Sequence, residues 1–431
     1  MLINFLNSFQ ISRQSIFIYK YTLCLSISFL LLISFTGCSS SKKFTDEDYN
    51  YNSTTKFKSL NIKVLLDDKP ESKNITLGST VVLSSVDKRI AIVNEGNTLY
   101  VNIEGDKVII NIGDNSFTSE SFKIETKERN VFLSYNKKSY RGAIKFFSNG
   151  SKLIIVNELP LEDYLKGVLP LEMPIGKGNE NNEALKAMAV AARTYSFKKM
   201  NKNNKTFDVY LDVRDQVYGG VAAEKALTNK IIDETRGLIL TYEDNPAQVF
   251  YSASCGGHTE NSKNVFGKYD IPYLEGVKDG DEPYCSIMPN FEWTEEYTEG
   301  KFLAMLLKAG EIKNINYTID DMEIESRFIS GRVNELKISL ESDENDDKEI
   351  ILKGNSIRSI IRRTNGGILR STMIEIEMDD DDIVFNGKGN GHGVGLCQWG
   401  TLSLSHEGTD FKEILSHYFR GTEIKPISYD K

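Results

Sequence analysis

The stretch from Leu159 to Lys199, LPLEDYLKGVLPLEMPIGKGNENNEALKAMAVAARTYSFKK, decides how the rest of the chain is organised. From Glu183 onward it predicts a helix, because apolar side chains recur at helical spacing and alanine favours helical backbone. Ahead of that helix, Pro160 is suited to begin a shorter one and Gly167 to end it. The sequence therefore predicts two helices joined by an irregular segment.

That irregular segment lies between Pro170 and Pro174 and contains one acidic residue, Glu172. A proline disfavours helical backbone at the residue before it, so the segment is predicted to be short and non-helical. Glu172 is flanked by Leu171 and Met173, and partial removal of a carboxyl group from water raises its pKa. A general acid requires such a pKa. The alternative is a structural glutamate that caps or pairs with the following helix.

Composition narrows the class of protein. The chain has 431 residues, a formal net charge of -9 and a globular composition, which is enough for two or three domains. Its acidity argues against nucleic-acid binding, and no basic stripe with interleaved aromatic residues is present. The glycine-rich stretch 387–400, GKGNGHGVGLCQWG, does not fit a G-x-G-x-x-G phosphate loop, so no nucleotide cofactor is expected.

The N-terminus has the features of an export signal. Residues 1–37 contain no Asp or Glu, and the apolar run from Thr22 to Phe35 is short for a membrane span. The sequence Phe35-Thr36-Gly37-Cys38 resembles a bacterial lipoprotein signal, although Leu is usual where Phe35 stands. We expect cleavage before Cys38, lipid on that residue, and a polar tether over 38–57 that anchors the protein to the membrane outside the cytoplasm. An ordinary signal peptide or an uncleaved anchor is the alternative.

The remaining chain predicts an α+β fold. Alternating apolar residues and Asn, Gly or Asp breaks predict a β-rich region over 58–139. Residues 140–425 read as a mixed α/β domain with a substrate groove, and 293–370 as a subdomain inserted into it. A β-pair is expected over 238–252 around a turn at Asp244-Asn245-Pro246. The four aspartates of 379–382 are predicted to form a solvated hairpin turn rather than a calcium loop.

Three cysteines remain beyond the export signal: Cys255, Cys285 and Cys397. An exported compartment permits disulfides, so we predict a Cys255–Cys285 bond and no bound metal. A zinc site formed by Cys255, His258 and Cys285 is the alternative, although the sequence has no C-x-x-C pair and no clear fourth ligand. Two free thiols are the third possibility.

The glycine-rich stretch 387–400 also raises the question of a nucleophile. Its alternating glycines indicate backbone held close to another surface, with His392 presented from a tight turn. His392 and Cys397 would make a thiolate pair, but Cys397 is expected to pack in the interior. Ser252 or Ser254 with His392 and an acidic residue would make a triad, but neither serine lies in a G-x-S-x-G turn.

Four blocks carry a recognisable pattern: Leu159–Tyr195, Gln216–Gly220 (QVYGG), Val249–Gly267 (VFYSASCGGHTENSKNVFG) and Gly387–Gly421. In this order and spacing they resemble the SpoIID/LytB family, the stage II sporulation protein D group of peptidoglycan enzymes. The resemblance covers about 140–424, so 140–425 is expected to be the SpoIID/LytB-like domain. Two positions depart from the family: Gly176–Asn182 stands where Trp-Pro is usual, and Met188 where Gln is usual. Some members bind zinc through His and Cys just ahead of Gln-Val-Tyr, but Val209–Asp215 contains neither residue type, so that site is not expected here.

The resemblance implies a lytic transglycosylase that cleaves peptidoglycan glycan strands stripped of stem peptides, in cell-wall remodelling or sporulation. The family's catalytic glutamate falls on Glu172, in Glu-Met-Pro. One carboxyl group would protonate the glycosidic oxygen and then activate the sugar's own 6-hydroxyl, giving a 1,6-anhydro end. No cofactor is implied. The residues expected to contact the sugars are Gln216, Tyr218, Ser252, Gly256, Gly257, Thr259, His392 and Gln398.

Three other functions stay open at this point. A glycan hydrolase needs a second carboxylate, for which Asp212, Asp215 and Glu260 are candidates. A non-catalytic accessory would bind glycan and enhance a partner cell-wall amidase, as some family members are described. A structural lipoprotein on an inactive enzyme fold is the third, and the intact Glu-Met-Pro argues against it.

Overall fold

The computed structural model describes residues 60–427, apart from 70–71, 87, 127, 129–130, 201–205, 268–269, 343–345 and 380–381. The expected signal peptide, the lipidated Cys38 and the tether all lie outside the described residues. No helix within the described ranges is both long enough and apolar enough to cross a membrane. Helices and many strands coexist in the chain, which confirms the α+β class.

The first hundred described residues are almost entirely strands, which confirms the expected β-rich region. Most form two antiparallel sheets, because side chains alternate between buried and exposed along each strand. These strands are β1 (Asn61–Asp67), β2 (Ser72–Thr76), β3 (Val81–Ser85), β4 (Lys88–Val93), β5 (Thr98–Glu104), β6 (Lys107–Ile112), β7 (Asn115–Ser119), β8 (Ser121–Thr126), β9 (Leu133–Tyr135), β10 (Lys138–Tyr140), β11 (Ala143–Ser148) and β12 (Leu153–Pro160).

The larger sheet has seven strands and includes β13 (Val209–Tyr210). Its order is β13-β1-β12-β11-β8-β3-β4, so β11 and β12 lie at its centre beside strands of the N-terminal region. The sheet therefore crosses the boundary proposed at residue 140. Strand β12 is buried along most of its length, as a central strand covered on both faces should be. It leads directly into the helix that carries Glu172.

Helices cover the sheet and connect it to the rest of the domain. The predicted long helix is confirmed, running one residue beyond each expected end. In chain order the helices are α1 (Leu161–Glu172), α2 (Asn182–Met200), α3 (Ala226–Glu234), α4 (Ser262–Phe266), α5 (Glu299–Ala309), α6 (Ile357–Ile360), α7 (Gln398–His406) and α8 (Phe411–Tyr418).

Helix α1 corrects one sequence-based expectation. It neither ends at Gly167 nor breaks at Pro170, but continues to Glu172. The reason is packing: a Cβ at Gly167 would lie 2.5 Å from the Tyr218 ring, so glycine lets that ring pack against the helix. The Gly219 N–H also donates to the Gly167 carbonyl at 3.0 Å. These tertiary contacts stabilise a helix that local sequence disfavours.

The strands after β13 contribute to two hydrophobic cores, and the second core runs from Trp293 to Phe385, past the predicted end of the insertion at residue 370. Strands β21 and β22 pair Asp379 with Asp382, which confirms the hairpin expected of the aspartate run. The strands are β14 (Leu238–Tyr242), β15 (Asn245–Pro246), β16 (Tyr251–Ser252), β17 (Glu292–Thr298), β18 (Thr318–Arg327), β19 (Val333–Glu341), β20 (Lys348–Lys353), β21 (Ile374–Asp379), β22 (Asp382–Lys388), β23 (Leu396–Cys397) and β24 (Glu423–Pro426).

The β-pair expected over 238–252 is only partly correct. Strand β14 pairs with β15, and Glu243 and Asp244 make the turn at positive φ. Strand β16 does not join that pair. It lies parallel to β23, with Ser252 opposite Cys397. This long-range pairing brings two of the four sequence blocks together.

Candidate active site

Glu172 is the last residue of α1, and its side chain is half-buried. The Val217 N–H donates to its Oε1 at 2.8 Å, and Gln398 Nε2 donates to its backbone carbonyl at 2.7 Å. Burial raises the pKa of Glu172, and the hydrogen bonds from Val217 and Gln398 oppose that rise. The C-terminal end of a helix also disfavours an anion, in the same direction as burial.

The source of this desolvation differs from the sequence-based interpretation. Met173 is buried, but Leu171 is 48% exposed and contributes little shielding. Met173 does adopt the extended backbone expected before Pro174, with φ -145° and ψ 141°. The predicted pKa direction for Glu172 is therefore confirmed, whereas the non-helical segment and the shielding by Leu171 were wrong.

Three tyrosines lie around the Glu172 carboxyl group. The pKa of each of Tyr164, Tyr195 and Tyr251 is raised, first by burial and also by the negative charge of Glu172. The three phenols are therefore uncharged at neutral pH, and Asp215, which accepts from Tyr195 Oη, is the charged group next to them.

Gln216 holds two of these tyrosines in place. Its Oε1 accepts hydrogen bonds from Tyr164 Oη at 3.2 Å and from Ser196 Oγ at 2.6 Å. Its Nε2 donates to Tyr251 Oη at 2.9 Å and to the Ala192 carbonyl at 3.5 Å. The side chain is fully buried. All its hydrogen-bonding capacity is used within the protein, so its role here is to orient the tyrosines.

Tyr251 keeps one hydrogen-bonding group unused. Its hydroxyl oxygen accepts from Gln216, which leaves the O–H proton free to donate. Among the described residues no acceptor takes that proton. The sequence reasoning missed Tyr251, although it lies in the quoted block VFYSASCGG immediately before Ser252. Only the fold reveals that it faces Glu172's surroundings.

The loop around His392 clamps the strand that carries Tyr251. Ser252 Oγ accepts a hydrogen bond from the Gly393 N–H at 3.2 Å, and His392 is hydrogen-bonded to the Tyr251 backbone. His392 Nδ1 accepts from the Val394 N–H at 3.0 Å. Burial and two nearby arginines lower the pKa of His392 to about 3, so it is neutral at neutral pH. It is suited to positioning β16 rather than to general acid–base chemistry.

The alternating glycines of this loop are confirmed as close-approach positions, but the surface they approach is the protein itself. Any Cβ at these positions would lie 2.7 Å or less from another atom. Gly391 faces Ser252 at 2.4 Å, for example. The opposing groups are the Trp293 ring for Gly387, the Gly256 backbone for Gly389, Ser252 for Gly391, the Arg332 guanidinium for Gly393 and the Phe250 carbonyl for Gly395.

The other residues proposed for sugar contacts are engaged inside the protein. Tyr218 is buried and donates to Asn157 Oδ1 at 2.9 Å. Thr259 is buried and exchanges hydrogen bonds with the Val277 backbone. A Cβ on Gly256 would lie 2.9 Å from Met373 Sδ, and one on Gly257 would lie 3.1 Å from Pro283. Gln216, Ser252, His392 and Gln398 are the proposed residues that the structure connects to Glu172 or Tyr251.

The candidates for a second carboxylate all have partners. Asp215 accepts from Tyr195 Oη at 2.6 Å and pairs with Lys199 at 2.7 Å. Asp212 is paired with Arg214 at 2.8 Å on the surface. Glu260 is buried and accepts from the Asn261 N–H at 2.7 Å, from Asn264 at 2.8 Å and from Ser330. None of the three resembles a carboxylate poised beside a substrate.

A surface depression of about 330 Å³ lies beside Asp215. The Arg214 guanidinium stacks on the Tyr210 ring at 3.7 Å from its centroid. A larger depression of about 630 Å³ lies by Trp293 and Arg370. Its lining does not include Glu172. The smaller depression adjoins the three tyrosines around Glu172, because Asp215 in its lining accepts a hydrogen bond from Tyr195. Its lining residues are Lys199, Thr206, Phe207, Asp208, Tyr210, Arg214 and Asp215.

The predicted Cys255–Cys285 disulfide is absent from this structure. The two sulfurs lie 3.6 Å apart, against about 2.05 Å in a disulfide, and Cys397 is likewise a free, buried thiol. The prediction considered Cys255 and Cys285 as an isolated pair, whereas in the structure Cys397 and Asp279 lie in the same buried cluster. His258 does not join it: its Nδ1 lies 2.6 Å from the Thr259 carbonyl.

Fold and site together define an α+β protein with one half-buried carboxyl group where four distant blocks of sequence converge. Comparison with known proteins agrees. The profile of a family described as Stage II sporulation protein matches residues 149–242, which include α1, α2 and Gln216. A second profile, described as Domain of unknown function (DUF8618), matches 285–395 and so falls on the second hydrophobic core.

Similar proteins were found in several bacteria. An uncharacterized protein of Brachyspira hyodysenteriae is 35% identical over 303 residues, covering 68% of this chain and 73% of that protein. The Stage II sporulation protein D of Bacillus subtilis is 29% identical over 62% of this chain and 75% of its own length. The amidase enhancer of Bacillus subtilis is 28% identical over 84% of this chain, which spans 55% of that protein. The chain belongs to the SpoIID/LytB family.

Proposed function

We propose that this protein is a lytic transglycosylase that cleaves peptidoglycan glycan strands with Glu172 as both acid and base. The relatives named Stage II sporulation protein D and amidase enhancer support a role at the cell wall. The observation that carries the proposal is the Glu172 carboxyl group itself. It is half-buried, its pKa is raised, and none of the other candidate carboxylates is free to act with it.

The first step is proton donation. Burial raises the pKa of Glu172, which favours its protonated form, and that form donates to the glycosidic oxygen that leaves C1 of N-acetylmuramic acid. The C1–oxygen bond breaks and positive charge develops on the sugar ring. The carboxylate that remains then accepts the proton of the same sugar's 6-hydroxyl while that oxygen attacks C1. The product has a 1,6-anhydro end, Glu172 regains its proton, and no water is consumed.

The surrounding residues support this cycle without supplying a second acid. The Val217 N–H holds one carboxyl oxygen at 2.8 Å, which fixes the direction of the other. The free O–H of Tyr251 is available to a sugar oxygen or to the carboxylate formed after donation. Gln398 fixes the end of α1 through the Glu172 carbonyl. A hydrolase, by contrast, needs a second free carboxylate at a defined separation.

The glycan strand itself would lie against polar and aromatic groups. The depression lined by Tyr210, Arg214 and Asp215 combines an aromatic face with charged hydrogen-bonding groups, a combination that suits sugar rings. We assign it to neighbouring sugars of the strand. Strands free of stem peptides are the expected substrate, because the family resemblance points to them.

The proposal places the enzyme outside the cytoplasm, anchored through a lipidated Cys38 and a polar tether over 38–57. The role would be cell-wall remodelling or sporulation. A cell-wall amidase is the expected partner, since an amidase that strips stem peptides would produce the substrate. No metal or other cofactor is required for the cleavage step itself.

The second candidate function is a non-catalytic enhancer of an amidase. The observation in its favour is the similarity to the amidase enhancer over 84% of this chain. In that case the same surfaces would bind glycan and Glu172 would orient it. Mass spectrometry of denuded peptidoglycan incubated with the protein separates the two. New 1,6-anhydro ends support the enzyme, whereas bound but uncleaved glycan with amidase stimulation supports the enhancer.

A further inference from the structure

Three distant parts of the chain bring four potential metal ligands together in the interior. Cys397 ends β23 and lies beside β16, three residues after which comes Cys255. Cys285 lies in the short helical turn Tyr284–Ile287, and Asp279 in the loop before it. All four side chains are buried, and their ligand atoms all lie within 4.8 Å of one another. Nothing in the catalytic proposal uses them.

The distance between the Cys255 and Cys285 sulfurs is close to that expected in a tetrahedral zinc site. With zinc–sulfur bonds of about 2.3 Å, two sulfurs of a regular tetrahedron lie about 3.8 Å apart. The Sγ atoms of Cys255 and Cys285 lie 3.6 Å apart. The sequence alternative with His258 lacked a fourth ligand, whereas the structure replaces His258 with Cys397 and Asp279. Three sulfurs and one carboxylate oxygen complete four-coordination.

The buried carboxyl group of Asp279 would also suit a cation. Asp279 is fully buried, and no Lys or Arg within the described ranges forms an ion pair with it. Burying a carboxylate without a compensating charge is costly. Its oxygens accept from Tyr418 Oη at 2.6 Å and from the Cys285 N–H at 3.0 Å, and each oxygen retains a second lone pair for a metal.

The surroundings resemble those that support metal ligands elsewhere. The Cys255 N–H points at Cys397 Sγ with a 3.2 Å separation, which stabilises negative charge on that sulfur. Arg332 is buried beside the cluster and donates to the Cys255 carbonyl at 2.8 Å. Its positive charge offsets part of the negative charge of three thiolates and one carboxylate around a divalent ion. Such outer contacts orient ligands and tune a metal site.

We propose that Cys255, Cys285, Cys397 and Asp279 form a structural zinc site. Three thiolates favour zinc over magnesium or calcium, and a closed, buried, four-coordinate arrangement is typical of structural rather than catalytic zinc. The metal would join β16, β23 and the 279–285 loop. Tyr251 lies on β16 and Gln398 directly follows Cys397, so the site would fix two groups that support Glu172.

Metal analysis of the purified full-length chain, grown with zinc, tests this directly. We expect one equivalent of zinc per chain in wild type and in Asp281→Asn, and loss of most of it in Asp279→Asn and Cys397→Ser. Asp281 is the matched control, because its side chain is fully exposed only two residues from Asp279. The assay does not depend on glycan cleavage, so its failure would not affect the proposed function.

Cobalt substitution keeps the test decisive if a ligand variant fails to fold. Cobalt-loaded wild type should show the intense visible absorption of tetrahedral cobalt with thiolate ligands, and zinc should abolish that spectrum. Counting the thiols of denatured protein shows whether Cys255 and Cys285 are joined by a disulfide or are free. Folded wild-type protein that binds neither metal would overturn the proposal, whether it contains a Cys255–Cys285 disulfide or three free thiols. Full zinc retention in folded Cys397→Ser would overturn the ligand set.

Discussion

Replacing Glu172 with glutamine removes the proposed acid while keeping its shape. A glutamine Oε1 can still accept the Val217 N–H now 2.8 Å away, and Gln398 contacts the backbone carbonyl, which the substitution leaves unchanged. Fold and glycan binding should therefore persist. Glutamine cannot pass a proton to the leaving oxygen, so cleavage should fall by about a hundredfold to ten-thousandfold, the usual contribution of a general acid. That range corresponds to about 3–5 kcal/mol of transition-state stabilisation.

The assay is release of 1,6-anhydro-N-acetylmuramic ends from denuded peptidoglycan, quantified by mass spectrometry. Glu407→Gln is the matched control, because Glu407 is exposed just after α7. This variant should cleave peptidoglycan at the wild-type rate. Activity should also fall as pH rises through the raised pKa of Glu172, because only the protonated form can donate. Anhydro ends persisting in Glu172→Gln, within tenfold of wild type, would refute the reasoning. Reducing ends that contain solvent oxygen would instead indicate a hydrolase.

Three further predictions concern Tyr251, the buried Glu162–Arg193 ion pair and the N-terminal signal. Tyr251→Phe removes the free hydroxyl donor near Glu172 and the hydrogen bond from Gln216, so cleavage should fall by roughly tenfold with glycan binding retained. An unchanged cleavage rate would show that Tyr251 has no part in the mechanism. Glu162→Gln leaves the buried Arg193 without its paired charge and should lower the free energy of unfolding by about 3 kcal/mol, measured by denaturant titration against Glu407→Gln. Intact-mass analysis of the membrane fraction should find lipid on Cys38, and an unlipidated Cys38 or retained residues 1–37 would contradict it.

The sequence identified Glu172 as the candidate acid but did not predict the helical backbone that carries it. Prolines at 170 and 174 predicted an extended segment, and only the second acted as expected, giving extended backbone at Met173. The first proline sits inside α1, because Gly167 lets Tyr218 pack against the helix and Gly219 bonds to it. No local pattern encodes those contacts. Helix α2 was predicted well because its local sequence and its tertiary surroundings agree: alanine favours helical backbone, and the apolar side chains are buried.

Groups that meet through long-range pairing were the hardest to predict. Cys255 and Cys397 are neighbours because β16 and β23 run parallel, although they are 142 residues apart in sequence. Asp279 carries no motif that would mark it as a partner of cysteines. A pairwise reading of Cys255 and Cys285 therefore predicted a disulfide, since two thiols alone permit that bond. The third thiol and the buried carboxylate change the chemistry that the cluster favours.

His392 shows why a motif residue need not be a reacting residue. Histidine in a glycine-rich loop suggests a base, yet burial and nearby arginines lower the pKa of His392 to about 3, so it is neutral at neutral pH. A neutral imidazole that accepts the Val394 N–H and bonds the Tyr251 backbone fixes a strand instead. The flanking glycines permit this packing, because any side chain there would collide with Ser252 or Arg332. The loop is thus best understood as the part that holds Tyr251 beside Glu172, and the proton transfer is left to one carboxyl group.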